Sequence, residues 1–271
     1  MVKKESLPLQ GRVLAIAGSD PGGGAGVQAD IKTITALGGY AASAITAVTV
    51  QDTLGVHAIH QIPPDLIAAQ IRAVLADIGA DAIKTGMLGE AAAVEAVAAT
   101  LAEFPAIPLV VDPVMAAKGG VALLANGALG PLRRLIANAA LVTPNAPEAE
   151  ALTGLAVATT DDLRRAGEAL LAGGATAVLM KGGHVPGDTV ADILMTPRGE
   201  TVLEGPRIAT RHTHGTGCTL ASACAVGLAQ GLKLEEAVAR AWAYVAEAIR
   251  RAPGFGAGAG PLDHGWPVRR R

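Results

Sequence analysis

Aromatic side chains are nearly absent: two each of Phe, Tyr and Trp among 271 residues, or 2% of the chain. Proteins that grip single-stranded nucleic acid stack bases on aromatics over a basic surface. With a formal net charge of −2, this chain has neither, and nucleic acid is excluded as a partner. Charge is scarce as well, at 17% of residues against a usual quarter or so. The 51% hydrophobic content excludes disorder. Only two cysteines occur, Cys218 and Cys224, six apart in one helical segment, so no disulfide framework is available. Reduced thiols and a cytoplasmic location are expected. Long apolar runs are missing too, despite a mean hydropathy of +0.40. The stretches 33–51 and 212–232 lack Asp, Glu, Lys and Arg and approach the roughly 20 residues of a membrane span. Both are broken by glycines and hydroxyls, and the second also by His212 and His214, so they read as buried elements and no membrane is expected. Near the N-terminus, Val13–Ala17 is too short for the apolar region of a signal peptide.

What is present is an alternation of short apolar runs and helix-period segments. Strands are expected at Val13–Ala17, Ala41–Val50, Ala82–Lys84, Leu109–Val111, Leu141–Thr143 and Ala177–Met180. Helices are expected near Val27–Leu37, Pro63–Asp77, Glu90–Glu103, Leu123–Asn138 and Asp161–Ala172. Continuously apolar strands separated by helices predict an α/β fold: a doubly wound, mostly parallel sheet with helices on both faces. After Lys181 the pattern changes to an antiparallel hairpin, Ala191–Thr196 with Thr201–Val202, and two helices near Gly217–Gln230 and Leu234–Arg251. One domain over 1–271 is expected, with fraying at 1–10 and 265–271.

Ligands of such sheets bind at the carboxyl ends of the strands. Gly18-Ser19-Asp20, Gln51-Asp52, Lys84–Met87, Asp112-Pro113, Thr143–Asn145 and Lys181–His184 all fall there. The glycine-rich run 21–26 fails the Walker pattern, having no Lys-Ser or Lys-Thr, and fails the dinucleotide fingerprint at Val27. It reads as a strand-to-helix loop that lets backbone approach a small ligand. Asp30, one turn later in an apolar stretch, is either a buried acceptor or an exposed helix residue. The segment 212–219 is the sharpest. Gly215, Thr216 and Gly217 open an apolar helix whose bare N–H groups and dipole favour an anion. Cys218 in that setting is expected to have its pKa lowered toward neutrality. His212, His214 and Cys218 could instead bind metal, but their i, i+2, i+6 spacing is not a usual zinc pattern. Asp112 and Glu148 could hold Mg²⁺, which takes one or two carboxylates alongside water and phosphate. Lys181 either reaches a nucleotide phosphate or is an ordinary strand-end lysine. Cys224 reads as core, and His57 and His60 as packing or surface residues.

In this order the motifs resemble the hydroxymethylpyrimidine/phosphomethylpyrimidine kinases of thiamine biosynthesis, within the ribokinase-like superfamily. The segments that carry the resemblance are AIAGSDPGGGAGVQADIK from Ala15, TAVTVQ from Thr46, KTGML from Lys84 and VDPVM from Val111. TPNAPEAE from Thr143, KGGH from Lys181 and HTHGTGC from His212 complete it, spanning about 12–251. The closing Gly258–His264 is similar to the family's last segment, although Phe255 and Ala257 sit among glycines where relatives carry a further histidine. The resemblance implies a ribokinase-like fold, ATP as co-substrate, Mg²⁺, a small pyrimidine substrate and a homodimer. It implies that Asp30 and Gln51 meet the polar edge of the pyrimidine, with Gly18 and Met87 close by. Gly215, Thr216 and Gly217 would form the anion hole, Asn145 and Glu148 an N-x-x-E motif for Mg²⁺ and phosphate, with Lys181 near the nucleotide phosphates and Asp112 by the metal. Cys218 stands where sugar kinases of the superfamily carry a catalytic Asp. The implied activity is phosphorylation of 4-amino-5-hydroxymethyl-2-methylpyrimidine and then of its monophosphate. The alternatives are a pyridoxal kinase of the cysteine-containing type and a non-catalytic pyrimidine- or nucleotide-binding protein.

Overall fold

The computed structural model of the protein describes residues 10–117 and 119–269. Nine strands form one sheet in the order β3-β2-β1-β4-β5-β6-β7-β8-β9. The parallel centre consists of β2 (Tyr40–Gln51), β1 (Arg12–Ser19), β4 (Ala82–Thr85), β5 (Leu109–Val111), β6 (Leu141–Val142) and β7 (Val178–Met180). On the far side β8 (Thr189–Thr196) and β9 (Gly199–Pro206) form the expected antiparallel hairpin. A second antiparallel edge was not expected: β3 (Val56–Gln61) pairs with β2. Its residues are exposed or half-buried throughout, so the edge strand carries no buried apolar run to announce it.

Side chains alternate across the sheet because strand geometry has a period of two. Leu14 and Ile16 of β1, with Leu109 and Val111 of β5, pack toward α2 (Pro64–Asp77), α3 (Ala91–Leu101), α4 (Leu129–Ile136), α5 (Ala146–Thr153) and α6 (Thr160–Ala172). Val13, Val110 and Leu141 face the other way, toward α1 (Gly26–Ala36), α7 (Thr216–Ala229) and α8 (Leu234–Arg250). Both faces are covered, which explains the unbroken apolar character of β5 to β7. The short α5 was not among the expected helices, and α4 begins six residues later than expected, because 123–128 remains a loop with Gly127 at a φ of 91°.

The expected fraying of the C-terminus is corrected over 265–269. Trp266 stacks on Tyr244 of α8 with ring centroids 6.0 Å apart, and its Nε1 donates to the Tyr244 carbonyl at 3.2 Å. The Arg251 guanidinium lies 5.5 Å from the same indole ring. Residues 1–9 and 270–271, which the fraying expectation also covers, lie outside the described residues. Among the described residues no helix is long and apolar enough to cross a membrane.

Candidate active site

The carboxyl ends of the parallel strands converge on the N-terminus of α7. Gly215, its N-cap, has a φ of 81°, and a Cβ there would fall 1.7 Å from the Gly24 carbonyl oxygen. Glycine is therefore required both for the left-handed backbone and for the approach of the 20–26 loop. At Gly217 a Cβ would fall 3.2 Å from Lys181 Nζ and 3.5 Å from Asp112 Oδ2. The start of α7 thus touches the glycine-rich loop on one side and a charged cluster on the other. No side chain caps this helix and its first turn has no acidic residue; the Thr216 amide turns back to the Thr213 carbonyl at 3.4 Å, and the N-terminus otherwise suits an outside acceptor.

The charged cluster stands at the ends of β5, β6 and β7. Lys181 Nζ donates to Asp112 Oδ1 at 3.0 Å and lies 3.6 Å from Glu148 Oε2. Thr143 Oγ1 also donates to Asp112 Oδ1, at 3.1 Å. Asn145 and Glu148 close a capping box at the start of α5: Asn145 Oδ1 accepts from the Glu148 amide at 3.0 Å, and Glu148 Oε2 accepts from the Asn145 amide at 2.8 Å. Burial raises the Glu148 carboxyl to about 7, with Asp112 adding to the rise and Lys181 opposing it. For Lys181, burial works against the charge, but Asp112 and Glu148 outweigh it and raise the pKa. Two carboxylates therefore share one ammonium, a cluster suited to a further cation.

A second set lies at the ends of β1, β2 and β4. A Cβ on Gly18 would stand 3.1 Å from Met87 Sδ, so these two residues touch as the resemblance implies. Thr46 Oγ1 donates to the Met87 carbonyl at 2.6 Å and fixes that backbone. Gln51, at the end of β2, has its amide beside Thr49 and His214, at 3.3 Å from each. Asp20, 3% exposed, accepts from the amides of Gly22, Gly24 and Ala25 and lies 2.8 Å from His214 Nε2. Burial opposes its charge, but His214 and these amides hold the carboxyl below its usual range.

Two expectations need correction. Asp30 does not present its carboxylate to a ligand: it is fully buried, and Lys84 Nζ donates to both its oxygens at 2.8 and 2.9 Å. Ser222 Oγ of α7 adds a third bond at 2.7 Å. Burial disfavours the Lys84 ammonium, yet Asp30, with Cys218 and Asp112 nearby, outweighs that and raises its pKa. The pair is an ion pair under the site, not a ring contact. Cys218 also departs from expectation. Burial pushes its thiol up to about 12; Lys84 opposes this, whereas Asp112 and Asp30 reinforce it. Burial is the largest cause, and the thiol is held above its usual range where the sequence had placed it toward neutrality. Cys224 is fully buried in the core, as expected.

Sequence reasoning missed Lys84, Ser222 and the pairing of Asp20 with His214. A lysine inside the apolar strand β4 and an aspartate inside an apolar helix each signalled a buried partner, but nothing in their spacing joined them. His264 was also without an assigned role. It is 4% exposed, its Nε2 is 3.0 Å from Thr219 Oγ1 of α7, and Tyr244 donates to its carbonyl at 2.6 Å. Burial, with help from Lys32 and His214, pushes this imidazole down to about 4. The tail is thereby tied to the helix that carries Cys218.

Residues 20–263 match the family model described as phosphomethylpyrimidine kinase. The chain is 51% identical over 257 residues to the hydroxymethylpyrimidine/phosphomethylpyrimidine kinase of Streptomyces coelicolor, covering 94% of this chain and 95% of that protein. It is 50% identical over 256 residues to the thiamine biosynthesis bifunctional protein ThiED of Geobacter sulfurreducens, covering 94% of this chain but spanning only 52% of that longer protein. Among solved structures, the pyridoxal kinase from Staphylococcus aureus in complex with AMP-PCP superposes with a TM-score of 0.88 at 36% identity, covering 94% of each chain.

Proposed function

The chain belongs to the phosphomethylpyrimidine kinase family, and we propose that it transfers the γ-phosphoryl group of ATP to the 5-hydroxymethyl oxygen of 4-amino-5-hydroxymethyl-2-methylpyrimidine. It then phosphorylates the monophosphate to the diphosphate, in thiamine biosynthesis. The observation that carries this reading is the uncapped start of α7 between Lys181–Asp112 and the Gly18–Met87–Gln51 set. A phosphoryl group there meets backbone N–H donors and an ammonium at once. A small ring held by Gln51 and Met87 leaves its alcohol directed to the same place.

In the transfer, the bridging P–O bond of ATP breaks, a P–O bond to the hydroxymethyl oxygen forms, ADP leaves and the hydroxyl proton is released. The transition state of phosphoryl transfer is loose, so positioning and charge neutralisation supply most of the acceleration. Lys181 and the α7 amides of Gly215, Thr216 and Gly217 take the charge on the moving phosphoryl oxygens. Cys218, protonated at rest, lines the alcohol side and positions the hydroxyl, and strong base catalysis is not required of it. ATP as the nucleotide agrees with the ATP analogue bound by the Staphylococcus kinase. Asp112 and Glu148 fit Mg²⁺, because two carboxylates share a single lysine, and burial together with Asp112 raises the Glu148 carboxyl to about 7. Among the described residues no cluster of three His, Cys, Asp or Glu side chains converges, so the fit is to an ion completed by water and phosphate. Bound there, the ion would neutralise phosphate charge. A cytoplasmic location accords with the two unpaired thiols, and a homodimer with the family resemblance.

Pyridoxal is the second reading, favoured by the close superposition on the pyridoxal kinase and by a thiol at the alcohol side. A coupled assay decides between them by following mono- and diphosphate products from the free pyrimidine and from pyridoxal. Preference for pyridoxal reverses the assignment. Tight pyrimidine binding without ATP-dependent phosphorylation replaces it with a binding protein.

A further inference from the structure

His214 Nε2 has two polar neighbours, Asp20 Oδ2 at 2.8 Å and the Gln51 side-chain amide at 3.3 Å. One nitrogen cannot donate to the first and accept from the second. Asp20 decides the matter, because its carboxylate is buried, charged and already gathers three backbone amide protons, leaving it only as an acceptor. The Nε2 proton of His214 is committed to it. Gln51 must then turn its carbonyl oxygen, not its NH₂, toward His214. Heavy-atom positions do not distinguish the two amide orientations; the hydrogen-bond network does. The remaining partner agrees: Thr49 Oγ1 donates to the Ser19 carbonyl at 2.9 Å, so it is free to accept from the turned NH₂ of Gln51.

We infer that the Asp20–His214 pair is a positioning device for Gln51, fixing which end of its amide offers a donor and which an acceptor to the substrate ring. The imidazole is itself held. Its backbone amide donates to the Gly260 carbonyl at 3.1 Å, and a Cβ on Gly24 would fall 2.5 Å from its Cδ2, so the ring lies flush on the glycine loop. His214 is 12% exposed at its side chain and Asp20 4%, which keeps water from competing for the bond. An aminopyrimidine edge alternates ring-nitrogen acceptors with an amino donor. An amide locked in one orientation matches that alternation in one register, and an amide free to flip would accept other ring edges equally well. Asp20 and His214 thus act on ring selectivity through Gln51, without contact with the reacting atoms. The inference rests on Gln51 reading the pyrimidine, as in the proposed function.

The test measures dissociation constants of the pyrimidine alcohol, pyridoxal and ATP by calorimetry for the wild type, Gln51→Ala, His214→Asn, His214→Gln and the Gln51→Ala/His214→Asn double variant. Glutamine places its Nε2 where imidazole Nε2 stood, whereas asparagine is too short. Gln51→Ala and His214→Asn should each weaken the pyrimidine about tenfold, the worth of one good hydrogen bond, and leave ATP within about twofold. His214→Asn should also narrow the pyrimidine-to-pyridoxal ratio, and His214→Gln should restore most of both. The double variant should bind no more weakly than Gln51→Ala alone, because both act on one contact. Unchanged pyrimidine affinity in Gln51→Ala overturns the assignment of Gln51 and the inference with it. A loss in Gln51→Ala with none in His214→Asn, or additive losses, overturns the inference alone. ¹⁵N NMR of the unaltered protein gives an independent reading: a proton on His214 Nε2 is required, and an Nε2 lone pair overturns the inference without any variant having to fold.

Discussion

Two lysine–aspartate pairs flank Cys218, and they differ in one respect. Lys84 and Asp30 are wholly sealed, with side-chain exposures of 0% and 0%. Lys181 and Asp112 retain 12% and 2%, and their ammonium faces the start of α7 with Glu148 as a third member. The sealed pair satisfies itself: two bonds between its members and one from Ser222 leave no call for a ligand. The open cluster has more carboxylate than ammonium and neighbours helix N–H groups that no side chain caps. The same two residue types therefore serve as foundation in one place and, in the proposed function, as working parts in the other. What separates them is the remainder of charge and hydrogen bonding, more than the burial of either residue alone.

The strongest way to break this comparison is at the sealed pair. Lys84→Met leaves the Asp30 carboxylate buried without its cation and should cost about 3–5 kcal/mol of stability, read from the urea midpoint. Adding Asp30→Leu should recover most of that loss. A Lys84→Met protein as stable as the wild type would show that the pair carries no structural weight. At the open cluster the balance should invert. Lys181→Met should lower kcat/KM for ATP about 100-fold, as expected for loss of a group that stabilises transition-state charge, while its stability loss stays well below that of Lys84→Met. Comparable stability losses for the two lysines would erase the distinction.

Cys218 lies between the pairs and reports on both. With its thiol pushed up to about 12, Cys218→Ala should reduce kcat about tenfold and leave pyrimidine affinity within about threefold. The wild-type pH–kcat profile should show no limb near 7 that vanishes in the variant; such a limb would make the thiolate a base after all. The smallest effect concerns the tail. His264 titrates at about 4 when folded and near 6.5 when unfolded. Between those values the unfolded chain holds a proton that the folded chain refuses, so this contribution is complete above pH 6.5 and is lost as the pH falls toward 4. His264→Asn should flatten the decline in melting temperature from pH 7 to pH 5, and an unchanged slope would dissociate His264 from acid sensitivity.

Much of this architecture was legible beforehand for physical reasons. Strands β5, β6 and β7, and β1 over Val13–Ala17, are apolar on both faces because helices cover both, so they stand out as unbroken runs. The C-terminal hairpin was read from the Pro197–Glu200 turn between two short β-rich runs. β3 was not legible, because an edge strand open to solvent needs no apolar pattern. The glycines that open α7 were legible as a place of close backbone approach, and the structure puts a Gly215 Cβ 1.7 Å from the Gly24 carbonyl oxygen. The tail beyond 264 was misread as loose because its anchor, Trp266 on Tyr244, joins residues 22 apart in sequence.

The sequence by itself determined the class of fold, the polar and glycine-rich ends of the parallel strands, the glycines that open α7 and, from the paucity of aromatics, that stacked nucleic-acid bases are not its ligand. Tertiary structure alone decided which charge met which. Asp30 was drawn to Lys84 across 54 residues, and Asp20 to His214 across 194. It also decided that the Cys218 thiol is raised and not lowered, because a pKa depends on distance to charge and water in three dimensions, and neither is written in the spacing of residues along a chain.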